Sequence, residues 1–107
     1  MRVHFHPDAE AEFATATEYY EQCQAGLGLA FVEEVYAVIA RIIAYPNAWC
    51  PLSTNTRRCL LNRFPYGVVY QVRSDDVRII AVANLHRRPG YWKERTEPTI
   101  RSERDEQ

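Results

Sequence analysis

Lysine is almost missing from this 107-residue chain. Lys93 is the only one, and the other twelve basic side chains are arginines. Positive charge is therefore carried by planar guanidinium groups that suit bidentate contacts to carboxylate and phosphate. No run of eighteen apolar residues occurs, which excludes a helical membrane span. The opening MRVHFHPDAEAEF lacks the apolar core of a signal peptide, so a cytoplasmic location is expected. Three cysteines, Cys23, Cys50 and Cys59, are odd in number, far apart and without a CxxC pair. In a reducing compartment they read as buried or semi-buried free thiols rather than as a disulfide. His4 and His6 share a face of a short strand, but no third ligand lies nearby in sequence, so no metal and no cofactor is expected. There is no internal repeat and no sign of a second domain. Residues 1–95 read as one domain and residues 96–107 as a polar tail, frayed unless a partner orders it.

Charge is present but unevenly placed. From Arg57 to Arg95 there are nine basic residues (Arg57, Arg58, Arg63, Arg73, Arg78, Arg87, Arg88, Lys93, Arg95) against Asp75, Asp76 and Glu94, a local net of +6. Residues 1–50 carry Arg2 and Arg41 against seven acids, a net of −5. The whole-chain value of −1 hides a dipolar molecule, whose basic half should attract a polyanion or an acidic protein.

Periodicity supplies the elements. Arg2–His6 alternates as a first strand, with Val3 and Phe5 opposite His4 and His6. Pro7 suits the first turn of a helix from about Asp8 to Gln24, where Asp8, Glu10 and Glu12 complement the helix dipole. Ala9, Phe13, Ala16, Tyr20 and Cys23 mark its apolar face. Gly26 and Gly28 make a tight connection to a second helix from about Leu29 to Ala44, stopped by Tyr45-Pro46, giving an antiparallel helical hairpin. Asn47–Thr56 is an uncharged loop. Three strands follow at about Arg57–Arg63, Tyr66–Arg73 and Val77–Ala83, with Ser74-Asp75-Asp76 as a hairpin turn. In the last strand, Val77, Ile79, Ala81 and Ala83 alternate with Arg78, Ile80 and Val82. The fold class is α+β: the helices cover one face of a small, mainly antiparallel sheet, and the other face can stay open.

Four segments carry a resemblance. They are FHPDAEAE at Phe5–Glu12, YYE at Tyr19–Glu21 with GLGLAF at Gly26–Phe31, RFPYGVVY at Arg63–Tyr70, and AVANLHRRPGYW at Ala81–Trp92. Their order and spacing resemble the RelE/ParE family of toxins from bacterial type II toxin–antitoxin (plasmid stabilisation) systems, on the ParE-like side. The resemblance implies a growth-arresting protein silenced by a cognate antitoxin, in a toxin–antitoxin hetero-oligomer. It implies one of two targets: DNA gyrase, which ParE-like members inhibit, or mRNA in the ribosome, which RelE-like members cut as mRNA interferases. This chain departs from the pattern at Asn84, where a histidine is expected. Asn84 cannot act as an acid or base near neutral pH. His86, two residues on, is the substitute if residues 84–86 stay extended.

For RNA cleavage the candidates are Arg63, His86, Arg88 and Tyr91, with guanidinium groups for the phosphate and histidine as the side chain that titrates near neutrality. Arg57, Arg58, Arg63, Arg87, Arg88, Lys93 and Arg95 are the candidates for binding nucleic acid or an acidic, partly disordered antitoxin segment. Tyr91 or Trp92 could stack on a base, but such a pair more often packs a chain end onto the sheet. The loop Asn47–Thr56, which is lysine-rich in many ribosome-dependent cutters, carries no charge here. These features favour a gyrase-inhibiting toxin. The alternatives are a ribosome-dependent endoribonuclease and a non-toxic module that keeps only antitoxin binding.

Overall fold

A computed structural model describes residues 1–96. The chain runs β1 (Arg2–Phe5), α1 (Pro7–Cys23), α2 (Leu27–Ala44), β2 (Cys50–Pro51), β3 (Arg57–Leu60), β4 (Tyr66–Arg73) and β5 (Asp76–Asn84), and closes on a 3-10 turn at Lys93–Thr96. The five strands form one sheet in the order β1-β5-β4-β3-β2. β3, β4 and β5 are antiparallel, as expected, and β1 joins parallel to β5 along the outer edge. The rest of the tail, residues 97–107, lies outside the described residues, and with it the expectation that it frays.

α1 begins one residue earlier than its acidic run suggests. The imidazole of His6 caps it, Nδ1 accepting the Asp8 N–H at 3.0 Å, and Pro7 fills the first helical position, where no donor is needed. β1 and α1 are thus joined without a loop. α2 starts at Leu27, not Leu29, so Gly28 is inside the helix. The reason is close approach: a Cβ on Gly28 would stand 2.8 Å from the Thr17 carbonyl oxygen of α1. Gly26 supplies the turn with φ of 90°, a left-handed conformation that glycine adopts without strain. Glu21 completes the joint. Its carboxylate accepts the Gly26 N–H at 3.1 Å and the Gly28 N–H at 3.0 Å, satisfying donors that open α2.

The core lies between the hairpin and the sheet. Phe31, Val35, Val38 and Ile42 of α2 meet Val68, Tyr70, Val77, Ile79 and Val82, all buried. Aromatic rings fill the wider end, with Tyr20 edge-on to Phe64 at 4.8 Å and Phe31 edge-on to Tyr66 at 5.1 Å. Tyr70 spans the sheet, and its hydroxyl donates to the Pro46 carbonyl at 2.6 Å.

Three expectations about the sheet are corrected. First, β5 does not keep one alternation. Val69 pairs with Ala81 but Tyr70 pairs with Ile79, so Ile80 is an extra residue in a bulge. Val77 and Ile79 face the helices, but beyond the bulge it is Val82, not Ala81 and Ala83, that does so. Second, the other sheet face is not open throughout. Val69, Ile80, Ala81 and Ala83 are buried there under Leu52, Tyr91 and Trp92. Third, β3 ends at Leu60, short of Arg63, and the uncharged loop contributes the two-residue β2. Cys59 is buried, as expected, and burial raises its thiol pKa, but Cys23 and Cys50 are exposed.

The Gly28 contact generates a prediction. Gly28→Ala should destabilise the protein by about 1–3 kcal/mol, the cost of overpacking a rigid contact, although alanine is the better helix former by about 1 kcal/mol. A denaturant midpoint at or above that of the parent would show that the hairpin can part without cost.

Candidate functional site

Beyond the bulge, β5 leaves the cover of β1, and α1 runs beside its bare edge. A cleft of about 610 Å³ lies between them. Ala11, Glu12, Thr15, Ala16, Tyr19 and Tyr20 of α1 form one wall, and Val82 and Asn84 of β5 another. Pro65, Tyr66, His86, Arg87 and Tyr91 close the rim. Three of the residues singled out from sequence, His86, Arg87 and Tyr91, come together here. Arg63 and Arg88 do not line it.

Glu12 organises this region. Its Oε1 accepts the Val82 N–H at 3.0 Å. Its Oε2 accepts the Tyr91 hydroxyl at 2.9 Å and an Arg95 N–H at 2.9 Å, and Arg87 stands 3.8 Å away. Arg95 also donates to the Ile80 carbonyl at 3.2 Å and lies 3.7 Å from Asp8. The Arg87 guanidinium sits 3.8 Å from the centre of the Tyr91 ring. One carboxylate thus ties α1, the edge of β5 and the segment after Pro89 together. Burial and the hydrogen bond to Glu12 both hold the Tyr91 phenol in its neutral form, raising its pKa well above the usual 10.0. Nothing in the sequence spacing links Glu12 to Arg95. The acids of the first helical turns read as dipole partners, and only tertiary structure reveals the pair.

The remaining arginines are dispersed. An N–H of Arg57 donates to the Trp49 carbonyl at 2.7 Å and so pins the uncharged loop. Arg58 lies half-buried over Gly67, its Nε without a partner among the described residues. The backbone N–H groups of Asn62 and Arg63 are accepted by Glu34 of α2, the former at 2.6 Å, while the Arg63 guanidinium stands 5.6 Å from the Phe64 ring centre. Arg88 and Lys93 are exposed. Asn84 spends its side-chain oxygen on the His86 N–H at 2.8 Å, which turns the chain at His86 and ends its extended course. No cluster of three or more metal-ligating side chains occurs among the described residues, and no helix there is long and apolar enough to cross a membrane.

This architecture has a known counterpart. A family profile described as the ParE toxin of the type II toxin–antitoxin system, parDE, matches residues 3–89, most of the chain. The chain belongs to the ParE toxin family. Among solved structures it is similar to a chain of the chromosomal ParDE toxin–antitoxin system from P. aeruginosa, with a TM-score of 0.67 and 16% identity. The match covers 80% of this chain and 97% of that one. At that identity the likeness shows the fold. No curated protein matches. Membership makes this chain a toxin component of a type II toxin–antitoxin system, with an antitoxin as its partner.

Two predictions follow from the Glu12 network. Glu12→Ala should cost about 3 kcal/mol in urea denaturation, because Arg95 and the Val82 N–H lose their common acceptor in a largely buried setting. Trypsin should then cut faster between Arg87 and Arg95. Unchanged stability and unchanged cutting would mean that the segment is held without Glu12. The second concerns pH. The pKa of Tyr91 and that of Tyr70, pushed up to about 12 by burial, both exceed the unfolded value of 10.0. Their contribution is complete below pH 10 and is lost as pH rises toward the folded values. Denaturation midpoints should therefore fall above pH 10, and less steeply in Tyr91→Phe.

Proposed function

We propose that this ParE-family toxin arrests growth in the cytoplasm by binding DNA gyrase and blocking it, without catalysing a reaction of its own. The observation that carries this reading is the state of Tyr91. A general acid for RNA cleavage needs a hydroxyl free to meet the leaving oxygen. The Tyr91 hydroxyl instead donates to Glu12, between two arginines engaged with the same ring or carboxylate. The His86 ring makes no hydrogen bond or ion pair among the described residues, and Arg63 and Arg88 lie outside the cleft lining.

Surface character supports the same reading. Leu29, Tyr36 and Ile43 recur seven residues apart on α2, and all three are exposed. An apolar stripe of this kind suits contact with a protein rather than with a phosphate backbone. The uncharged loop Asn47–Thr56 adds no basic track for RNA.

The test is a gyrase supercoiling assay on antitoxin-free protein, paired with ribosome-programmed mRNA cleavage on the same preparation. Supercoiling should be inhibited and the mRNA left intact. Tyr91→Phe should inhibit as well as the parent, since only a structural hydrogen bond is lost. Cut mRNA with active gyrase, or loss of toxicity in a folded Tyr91→Phe variant, would overturn the proposal and favour the endoribonuclease.

A further inference from the structure

β5 is longer than its outer partner. β1 pairs with Asp76–Ile79 and ends when Pro7 opens α1, so the lane beside Ile80–Asn84 is vacated. Part of this bare edge is satisfied by side chains: Arg95 donates to the Ile80 carbonyl and Glu12 accepts the Val82 N–H. The rest is defined by strand parity. Asn84 stands opposite Tyr66, whose N–H donates to Phe64 and whose carbonyl accepts from Leu61. Tyr66 therefore exchanges no bonds with β5, and the backbone groups of Asn84 point outward, as do those of Val82 two residues before. The Asn84 carbonyl accepts the Arg87 N–H at 3.1 Å. Two outward groups remain without a partner among the described residues: the Val82 carbonyl and the Asn84 N–H. Both residues line the cleft.

A carbonyl and an N–H flanking one residue, here Ala83, are the half-pattern of a parallel ladder. One residue of an added parallel strand fills both, donating its N–H to the first and accepting from the second. β1 already uses this pattern lower in the lane, where the Arg2 N–H donates to the Asp75 carbonyl at 3.0 Å beside its partner Asp76. An antiparallel strand would need the Val82 N–H, which Glu12 holds.

We propose that an extended segment of the antitoxin enters this lane as a short parallel strand, collinear with β1, and completes the edge of β5 at Val82 and Asn84. The proposal rests on the toxin–antitoxin reading and specifies how the partner is held. Main-chain bonds give the register, and alternate side chains reach the tyrosine wall. Tyr19, Tyr20 and Tyr66 line the cleft and suit an apolar side chain. His86 and Arg87 at the rim suit a carboxylate on the next residue, so the matching sequence pairs an apolar with an acidic residue.

The experiment uses ¹⁵N-labelled full-length chain, alone and co-purified with the protein encoded by the neighbouring reading frame. In the free protein the Asn84 amide should exchange with solvent far faster than that of Ala83, which faces β4. In the complex, Asn84 exchange should slow at least tenfold. Thr15→Trp, which fills the cleft from exposed α1 surface, should weaken antitoxin binding at least tenfold with an unchanged melting temperature. A complex in which Asn84 exchange stays fast, or in which folded Thr15→Trp binds as tightly as the parent, overturns the parallel-strand proposal and leaves the toxin reading standing. No complex at all overturns both.

Discussion

The Glu12 carboxylate is the interaction on which the functional end of this molecule depends. β5 outruns β1, and a strand edge inside a fold must satisfy its N–H and C=O groups somehow. Here an acid from a helix and an arginine from the chain end do so together, accepting from Val82 and donating to Ile80. Because Glu12 also holds Tyr91, the same contact brings Tyr91 and Trp92 down over Ile80, Ala81 and Ala83. Glu12 and Tyr91, which this contact joins, both line the cleft.

Two other glutamates act in the same way. Glu21 receives the backbone N–H groups that open α2, and Glu34 those that turn the chain between β3 and β4. In each case a helix carboxylate accepts main-chain donors from an adjoining segment, a charge-assisted bond stronger than a neutral one. Three of the seven acids in residues 1–50 are thus spent on internal joints. The basic half is partly neutralised in place: Arg87 and Arg95 answer Glu12, and Arg57 answers a carbonyl. The strong polarity along the sequence becomes a milder polarity across the surface.

Local signals in the sequence were reliable where local physics decides. The helical hairpin, its glycine connection and the three antiparallel strands follow from apolar spacing and turn chemistry. So does the family: its motifs span both helices and the last two strands, and the profile match covers the same region. Legibility ended where one residue or one distant partner decides. The Ile80 bulge reverses the face of everything after it, and alternation alone cannot announce an inserted residue. His6 was read as a strand histidine, but caps a helix, since either role suits the residue before a proline. In the candidate site, His86, Arg87 and Tyr91 share the cleft lining because they lie near one another in sequence. Glu12, seventy residues from Val82 in the chain, carries no local signal of its role.

The bulge also assigns the two faces of the strand's end. Each residue of β5 after Ile80 emerges on the side of the sheet that this one extra position dictates, Val82 toward the helices and Ala83 toward Tyr91 and Trp92. Deleting a single residue there would leave composition and charge nearly untouched, yet turn the last residues of β5 to the opposite faces of the sheet. In such a protein the length of one strand, counted to the residue, is as much a determinant of recognition as any side chain it carries.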